Sequence, residues 1–547
     1  SSFKSTCEIL ELYSKEYAIN KVLTNYQDYW AHTANQFTNT PETLEEHLDL
    51  VQNYLNKIIK NHGLDEVIDY LIFKYLNEKE LYSSKLGNWV KEVFIHAIVY
   101  HDHGKINERF QSEKMRNFSF KQKENPENGI ESQHSTLSAF IFLSHKLNDA
   151  INHFKNKELN CAITITFILS YPIYRHHSYH LKDDFWHKLT NESKRVEQLK
   201  DYLSLFKKQN TNPQILNLIQ NIDKLIARGE FRRFENSYAL YQLIRLNFSL
   251  LTTSDYLATN EFINQFEVND FGILTRSRII QLYEKVTQRE WIDKDKSKWN
   301  FNKVTYDQLE NIDLSSKPRE KLGENLNLLR QQMATEAVQN IRKNTDKNLF
   351  YLEAPTGGGK TNISMLLTLE LLLANKNLNK VYYVFPFTTL IDQTYKSLKE
   401  SLGLLDQEIV ALHSRASYGQ ESDGDEEDAV YGSEQRNYIN RLFVNYPFTL
   451  LSHVRFFDLL KTNIKEENYL LHRMANSIVV IDELQSYNPD HWDKILYFIK
   501  KYASLYNIRF ILMSATLPKI ADLKIEGLDD EDVIYLLSNA KKDYFNN

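Results

Sequence analysis

Over the first 290 residues, apolar positions recur at steps of three and four. Trp89, Val90, Val93, Phe94, Ala97 and Ile98 form one such stripe, which stops near Gly104; Tyr238, Tyr241, Ile244, Phe248 and Leu251 form another. That spacing collects apolar side chains on one face of a helix. No convincing two-residue alternation interrupts it. Residues 112–131, which include Asn125-Pro126-Glu127-Asn128-Gly129, read as a loop. From 291 to about 324 the chain is rich in Lys, Asp, Asn and Ser and reads as a connector. After 325 the pattern changes to short apolar runs alternating with helical segments. Strands are predicted at 349–353, 381–385, 408–412, 448–452, 477–481 and 509–513, and helices between them at 361–374 and 390–402. Strands alternating with helices predict a parallel α/β domain. The expected organisation is therefore an all-α region over 1–290, a linker over 291–325 and an α/β domain over 326–547. The acidic run 421–428 (ESDGDEED) reads as a surface loop.

Composition narrows the class. Hydrophobic residues make up 42% and charged residues 25% of 547, the balance of a globular chain. No apolar run reaches the ~18 residues of a membrane span, and residues 1–17 lack the apolar core of a signal peptide. Two cysteines, Cys7 and Cys161, give no disulfide framework, which fits a reducing, cytoplasmic setting. The net charge of −6 excludes a histone-like binder, so any nucleic-acid contact must be a local groove. Two residue types are unevenly placed. Glycine is scarce, 15 of 547, yet Gly357, Gly358 and Gly359 stand together; 13 of the 17 histidines precede residue 190.

The glycine run lies in Ala354-Pro355-Thr356-Gly357-Gly358-Gly359-Lys360-Thr361, between a predicted strand and a predicted helix. Glycines let several backbone N–H groups face one phosphate, and the helix N-terminus adds positive potential. Lys360 is placed to reach the β- and γ-phosphates and Thr361 to ligate Mg²⁺. The usual pattern has glycine where Ala354 stands. The strand 477–481 ends in Asp482-Glu483-Leu484-Gln485, where one carboxylate can hold Mg²⁺ and its neighbour can activate water. Met513-Ser514-Ala515-Thr516 follows another strand. In this order APTGGGKT, DELQ and SAT resemble motifs I, II and III of superfamily 2 helicases. Pro386-Phe387-Thr388-Thr389-Leu390, with Gln393, resembles the segment that family uses to hold the nucleic-acid backbone, and Arg330-Gln331-Gln332 resembles its adenine-reading segment, with Gln331 as the candidate. The resemblance spans about 326–520 and implies a RecA-like lobe binding ATP with Mg²⁺, with Glu483 as base. Roughly 30 residues follow Thr516, too few for a second lobe, so one lobe of a two-lobe motor with slow ATP turnover is expected.

The histidines form a second constellation. His101-Asp102-His103-Gly104-Lys105 is its clearest element, joined by His47, His134, the pair His176-His177, and Asp255. Imidazole and carboxylate donors suit borderline transition metals, and one Asp can bridge two ions. The order H…HD…H…HH…D on helices resembles the HD phosphohydrolase superfamily. His103 occupies the variable place of the HD-x-GK motif and reads as supporting the ligands at most. His32, His62, His96, His145, His153, His180 and His187 read as structural.

An HD domain followed by a superfamily 2 helicase resembles the CRISPR-associated helicase–nucleases of type I systems, over nearly the whole chain except a second helicase lobe. That resemblance implies a prokaryotic, cytoplasmic, metal-dependent single-stranded DNA nuclease coupled to an ATP-dependent helicase, recruited to foreign DNA by an RNA-guided multisubunit surveillance complex. It implies two divalent transition metal ions (Mn, Co, Ni or Fe), one held by His47, His101, Asp102 and Asp255, the other by Asp102, His134, His176 and His177. Asp102 is thus shared, and Lys105 neutralises the scissile phosphate. The alternatives are an HD phosphohydrolase acting on nucleotides or RNA with a regulatory ATPase lobe, or a docking module without activity.

Overall fold

The computed structural model describes residues 3–121, 131–177, 193–207, 213–221, 237–288, 291–292, 298–299, 301–309, 322–355, 359–412, 433–461, 469–487, 492–515 and 533–538. The acidic run 421–428 lies outside them, as do Thr356, Gly357, Gly358 and Thr516 of the helicase-like motifs. The chain forms two compact units, one built on Ser1–Asn269, the other beginning at Asp270.

The first unit is helical. Leu44–His62 opens with a capping box: the Thr43 hydroxyl accepts from Glu46 N–H, and the Glu46 carboxylate accepts from Thr43 N–H. Its buried positions, Leu44, His47, Leu48, Val51, Tyr54, Leu55, Ile58, Ile59 and His62, gather on one face at steps of three and four. Ser84–Val99, His134–His153, Asn156–Arg175 and Tyr238–Asn264 complete the framework around the histidines. The stripe expected to run towards Gly104 ends at Val99, and the chain continues through a 3₁₀ turn, His103–Ile106. Two very short strands, Trp30–His32 and Glu42–Thr43, pair antiparallel within this unit, with His32 opposite Glu42. Neither was expected, because three and two residues are too short to show a period of two.

Among the described residues, the second unit carries a seven-stranded, wholly parallel sheet in the order Val533–Tyr535, Leu349–Glu353, Arg509–Ser514, Ser477–Ile481, Lys380–Phe385, Phe448–Ser452, Ile409–Leu412. The six expected strands are present with ends shifted by at most one residue; Val533–Tyr535 was not foreseen. Ser477–Ile481 is buried along its whole length, as a central parallel strand covered on both faces must be. Helix Arg276–Thr287 packs Ile279, Leu282 and Val286 into the apolar core of this unit. The expected limit at 290 had placed that helix with the histidines. Part of the expected linker is folded too: Trp291–Ile292 pairs with Lys298–Trp299, and Phe301–Asp307 is helical.

Candidate metal centre and nucleotide site

Five segments of the first unit converge on Asp102. Ser84–Val99 delivers His101 and Asp102 just beyond its last turn. Adjacent residues inside a helix point about 100° apart. Here Asp102 has left helical geometry (φ −112°, ψ 8°), and His101 Nε2 lies 3.3 Å from Asp102 Oδ2. His47, in the first turn of Leu44–His62, brings Nε2 to 3.0 Å from the same oxygen and 3.1 Å from Asp255 Oδ1. His101 Nε2 is 3.2 Å from Asp255 Oδ1. The other carboxylate oxygen faces a second group: Asp102 Oδ1 lies 3.4 Å from His134 Nε2 and 3.5 Å from His176 Nε2, and His134 Nε2 is 2.9 Å from His177 Nε2. The seven residues read from the sequence thus meet as two clusters that share Asp102. In each, four donor atoms lie within 4.8 Å of one another.

Close packing holds the clusters together. The N–H of Gly104 donates to Ser138 Oγ at 2.7 Å, and that hydroxyl donates to the His134 carbonyl at 2.9 Å. A Cβ on Gly104 would stand 1.9 Å from the His134 carbonyl oxygen, so only glycine allows this approach. Phe110 packs against the His134 ring at 4.7 Å. Lys105 Nζ is buried, 3.0 Å from Asp102 Oδ2 and 3.1 Å from the Ala31 carbonyl. Gln111 ties the Trp30–His32 strand to this turn: its amide donates to the carbonyls of Trp30 and Lys105, and its oxygen accepts from Trp30 N–H.

The electrostatics are those of two carboxylates set among imidazoles and one ammonium. Burial alone would raise the Asp102 carboxyl, but His101 and Lys105 outweigh it and hold it well below the usual range. Asp255 is likewise lowered by His101 and His47 against its burial. Burial would lower His101, yet the Asp102 and Asp255 charges hold it up at about 9. His134 is pushed down to about 4 by burial, which Asp102 offsets only in part. Both Asp102 oxygens, His101 Nε2 and His176 Nε2 are buried and make no hydrogen bond. Unsatisfied polar atoms carry a cost of a few kcal/mol each, and here they aim at shared points. Imidazole with carboxylate is the donor chemistry of divalent transition ions. The residues present fit such ions.

His103, expected to support the ligands at most, lies against Tyr100, stacked at 4.1 Å; burial pushes it down to about 3, and neither ring nitrogen makes a hydrogen bond. His145 bonds the Tyr100 hydroxyl at 3.0 Å. His32, read as structural, pairs with a buried carboxylate. Its Nδ1 lies 2.7 Å from Glu42 Oε1, and His47 Nδ1 lies 3.3 Å from the same oxygen. Glu42 and Gln111 were missed because nothing in their sequence neighbourhoods marks them.

In the second unit, Leu349–Glu353 leads into the glycine loop. Ala354, at the place where glycine is usual, is fully buried, and its N–H pairs with the Ser514 carbonyl at 3.0 Å. Gly359 is left-handed (φ 78°) and caps helix Lys360–Ala374. Lys360 Nζ is 3.0 Å from Glu483 Oε1. Glu483 N–H donates to Asp482 Oδ1 at 2.8 Å, Gln485 donates to Glu483, and Ser514 Oγ donates to Gln485 Oε1 at 2.8 Å. Motifs I, II and III are therefore in one hydrogen-bonded chain. Burial raises the Asp482 carboxyl, with Lys360 opposing. Thr361 is half-buried in the first turn of the helix. Phe387, Thr388, Thr389 and Gln393 are exposed at the start of helix Thr388–Leu402. Gln331 is buried in helix Leu322–Arg342, its amide 3.5 Å from the Phe301 carbonyl.

The family model of the DEAD/DEAH box helicases matches residues 331–523. No curated protein matches the chain in sequence. Among solved structures the chain is similar to T. fusca Cas3 with AMPPNP (14% identity, TM-score 0.52), T. fusca Cas3 with ATP (13%, 0.52) and a further structure of T. fusca Cas3 (14%, 0.51). These matches cover 91%, 92% and 91% of this chain and 51%, 51% and 50% of the T. fusca chains, so it spans about half their length. Among the described residues no helix is long and apolar enough to cross a membrane. Residues 331–523 thus match the DEAD/DEAH box helicase family, and the chain, helical region included, has the fold of the corresponding half of T. fusca Cas3.

Proposed function

We propose that the chain is the nuclease-and-motor part of a Cas3-type enzyme of a prokaryotic cytoplasm, cutting single-stranded DNA at the Asp102 centre and translocating it with ATP and Mg²⁺. The observation that carries the reading is the Asp102 carboxylate, which faces one ligand group with each oxygen. His47, His101, Asp102 and Asp255 hold one divalent ion, and Asp102, His134, His176 and His177 the other. A pair of such ions supplies an activated water and charge stabilisation for the leaving oxygen of a phosphodiester. Asp102 would be the residue common to both. Lys105 balances the charge of Asp102 and would neutralise the scissile phosphate. In the second unit Lys360 and Thr361 bind the nucleotide phosphates with Mg²⁺, Asp482 holds that Mg²⁺, and Glu483 takes the proton of the attacking water. Gln331 reads the adenine. Pro386–Leu390 and Gln393 contact the DNA backbone, and an RNA-guided surveillance complex delivers the substrate.

Cleavage of circular single-stranded DNA tests the reading. The purified chain should cut it with Mn²⁺, Co²⁺ or Ni²⁺ better than with Mg²⁺, because a histidine-dominated donor set disfavours a hard, oxygen-seeking ion. Asp102→Ala should abolish the cut. Full activity of that variant in metal-free buffer would refute the proposal.

A further inference from the structure

Three imidazoles of the centre expose an Nδ1 behind the ligand nitrogen, and the fold gives those Nδ1 atoms different partners. His101 Nδ1 lies 2.8 Å from the Ile98 carbonyl, and His176 Nδ1 lies 2.5 Å from the Ile173 carbonyl. Both residues follow the end of a helix, Ser84–Val99 and Asn156–Arg175, where the last carbonyls have no partner within the helix. His47 sits at the opposite end of its helix, in the first turn of Leu44–His62. The spare backbone groups there are N–H donors, which cannot accept the Nδ1–H of an imidazole. An acceptor must come from elsewhere. The two-residue strand Glu42–Thr43 immediately before the helix brings one close: Glu42 Oε1 is 3.3 Å from His47 Nδ1, a buried nitrogen that makes no hydrogen bond of its own.

We propose that Glu42 is a positioning residue of the metal centre: its carboxylate takes the Nδ1–H of His47 and so fixes the tautomer and ring rotation that present Nε2 to the ion shared with His101, Asp102 and Asp255. This rests on the two-ion reading above. The support around Glu42 is itself built. It is 1% exposed, and its Oε1 also faces His32 Nδ1 at 2.7 Å. His32 is opposite it in the strand pair and packs on Phe262 with ring centres 6.0 Å apart. Gln111 anchors that strand beside the Asp102 turn. A carboxylate behind a histidine ligand makes it more basic and restricts its rotation. Glu42 does not appear among the partners of His134, His176 or His177, so its influence is confined to one of the two ions.

Co²⁺ is the probe, followed by titration calorimetry and visible absorption on the whole chain. The wild type should take up two ions. Glu42→Gln, which keeps the volume and removes the charge, should weaken one of them by roughly 10–100-fold, the usual effect of losing such a partner, and leave the other unchanged. His177→Ala should do the converse. A second readout needs no variant of Glu42: in the Co²⁺-loaded wild type the His47 N–H proton, assigned by its loss in His47→Ala, should exchange with D₂O more slowly than that of exposed His177. Wild type binding no Co²⁺ would overturn the two-ion reading and the proposal with it. Two ions in the wild type with both affinities unchanged in Glu42→Gln would overturn the proposal alone, as would a His47 proton exchanging as fast as that of His177.

Discussion

Replacing Gly104 by alanine adds one methyl group where the Asp102 turn meets the first turn of helix His134–His153. The added Cβ would lie 1.9 Å from the His134 carbonyl oxygen, 2.5 Å from Ser138 N and 2.7 Å from Ser138 Oγ. Ordinary contact begins at 3.4 Å, so the turn and the first turn of helix His134–His153 must separate by 3.4 − 1.9 = 1.5 Å. Two of the three obstructing atoms are backbone, and no rotamer change relieves them. Overpacking of this kind costs about 1–3 kcal/mol. The Gly104–Ser138 hydrogen bond would be lost as well, adding about 1 kcal/mol. The sum, ~2–4 kcal/mol, corresponds to a fall of roughly 4–16 °C in melting temperature for a unit of this size. The geometric effect is more specific than the loss of stability. Imidazole–metal bonds are held near ~2.0–2.1 Å with a tolerance of ~0.2 Å, so a shift of 1.5 Å takes His134 out of reach of an ion on Asp102 Oδ1. Gly104→Ala should therefore bind fewer Co²⁺ ions by calorimetry and lose cleavage of circular single-stranded DNA even where it is folded by circular dichroism. A variant that melts with the wild type and binds two ions would refute the steric argument.

Other substitutions separate the two ions and the two units. Asp102→Asn removes the charge shared by both clusters and should lower the bound Co²⁺ from two to none, whereas His177→Ala should leave one; equal loss in both variants would argue against a bridging role. Lys360→Ala removes the ammonium paired with Glu483 and should abolish ATP binding in a fluorescent-nucleotide assay. It should leave metal-dependent cleavage of free single-stranded DNA within about twofold, because the Asp102 centre is built entirely from the first unit. Parallel loss of both activities would point to a single composite site.

The sequence made the sheet legible because its strands are buried on both faces. The run Ile478-Val479-Val480-Ile481, for example, is apolar without interruption and leads straight into Asp482 and Glu483. Val533–Tyr535 escaped because three residues at the sheet edge carry no such run. The seven candidate ligands were legible for a different reason: histidine is uncommon, so several in a fixed order along helices stand out. Their partners were not. Glu42 and Gln111 are residue types found anywhere on a surface, and only tertiary structure makes them buried acceptors and clamps. The helix Arg276–Thr287 shows the same limit from the other side. Its apolar face, Ile279, Leu282 and Val286, is a sound helical pattern, but periodicity does not say which core the face will meet.

The placement of the candidate ligands along their helices accounts for that division. His101, Asp102, His176 and His177 lie just past helix C-termini, where the chain is free to turn and point neighbouring side chains at one spot. Such positions can be read from a sequence, since an apolar stripe that stops marks a helix end. His47 and His134 lie in first turns, where the backbone offers only donors. A histidine there needs its surroundings built by other segments: the strand pair and Glu42 for His47, Gly104 and Ser138 for His134. Gly104 belongs to a motif that was read from the sequence, yet its reason for being glycine, a carbonyl 1.9 Å from where its Cβ would be, exists only in the folded chain.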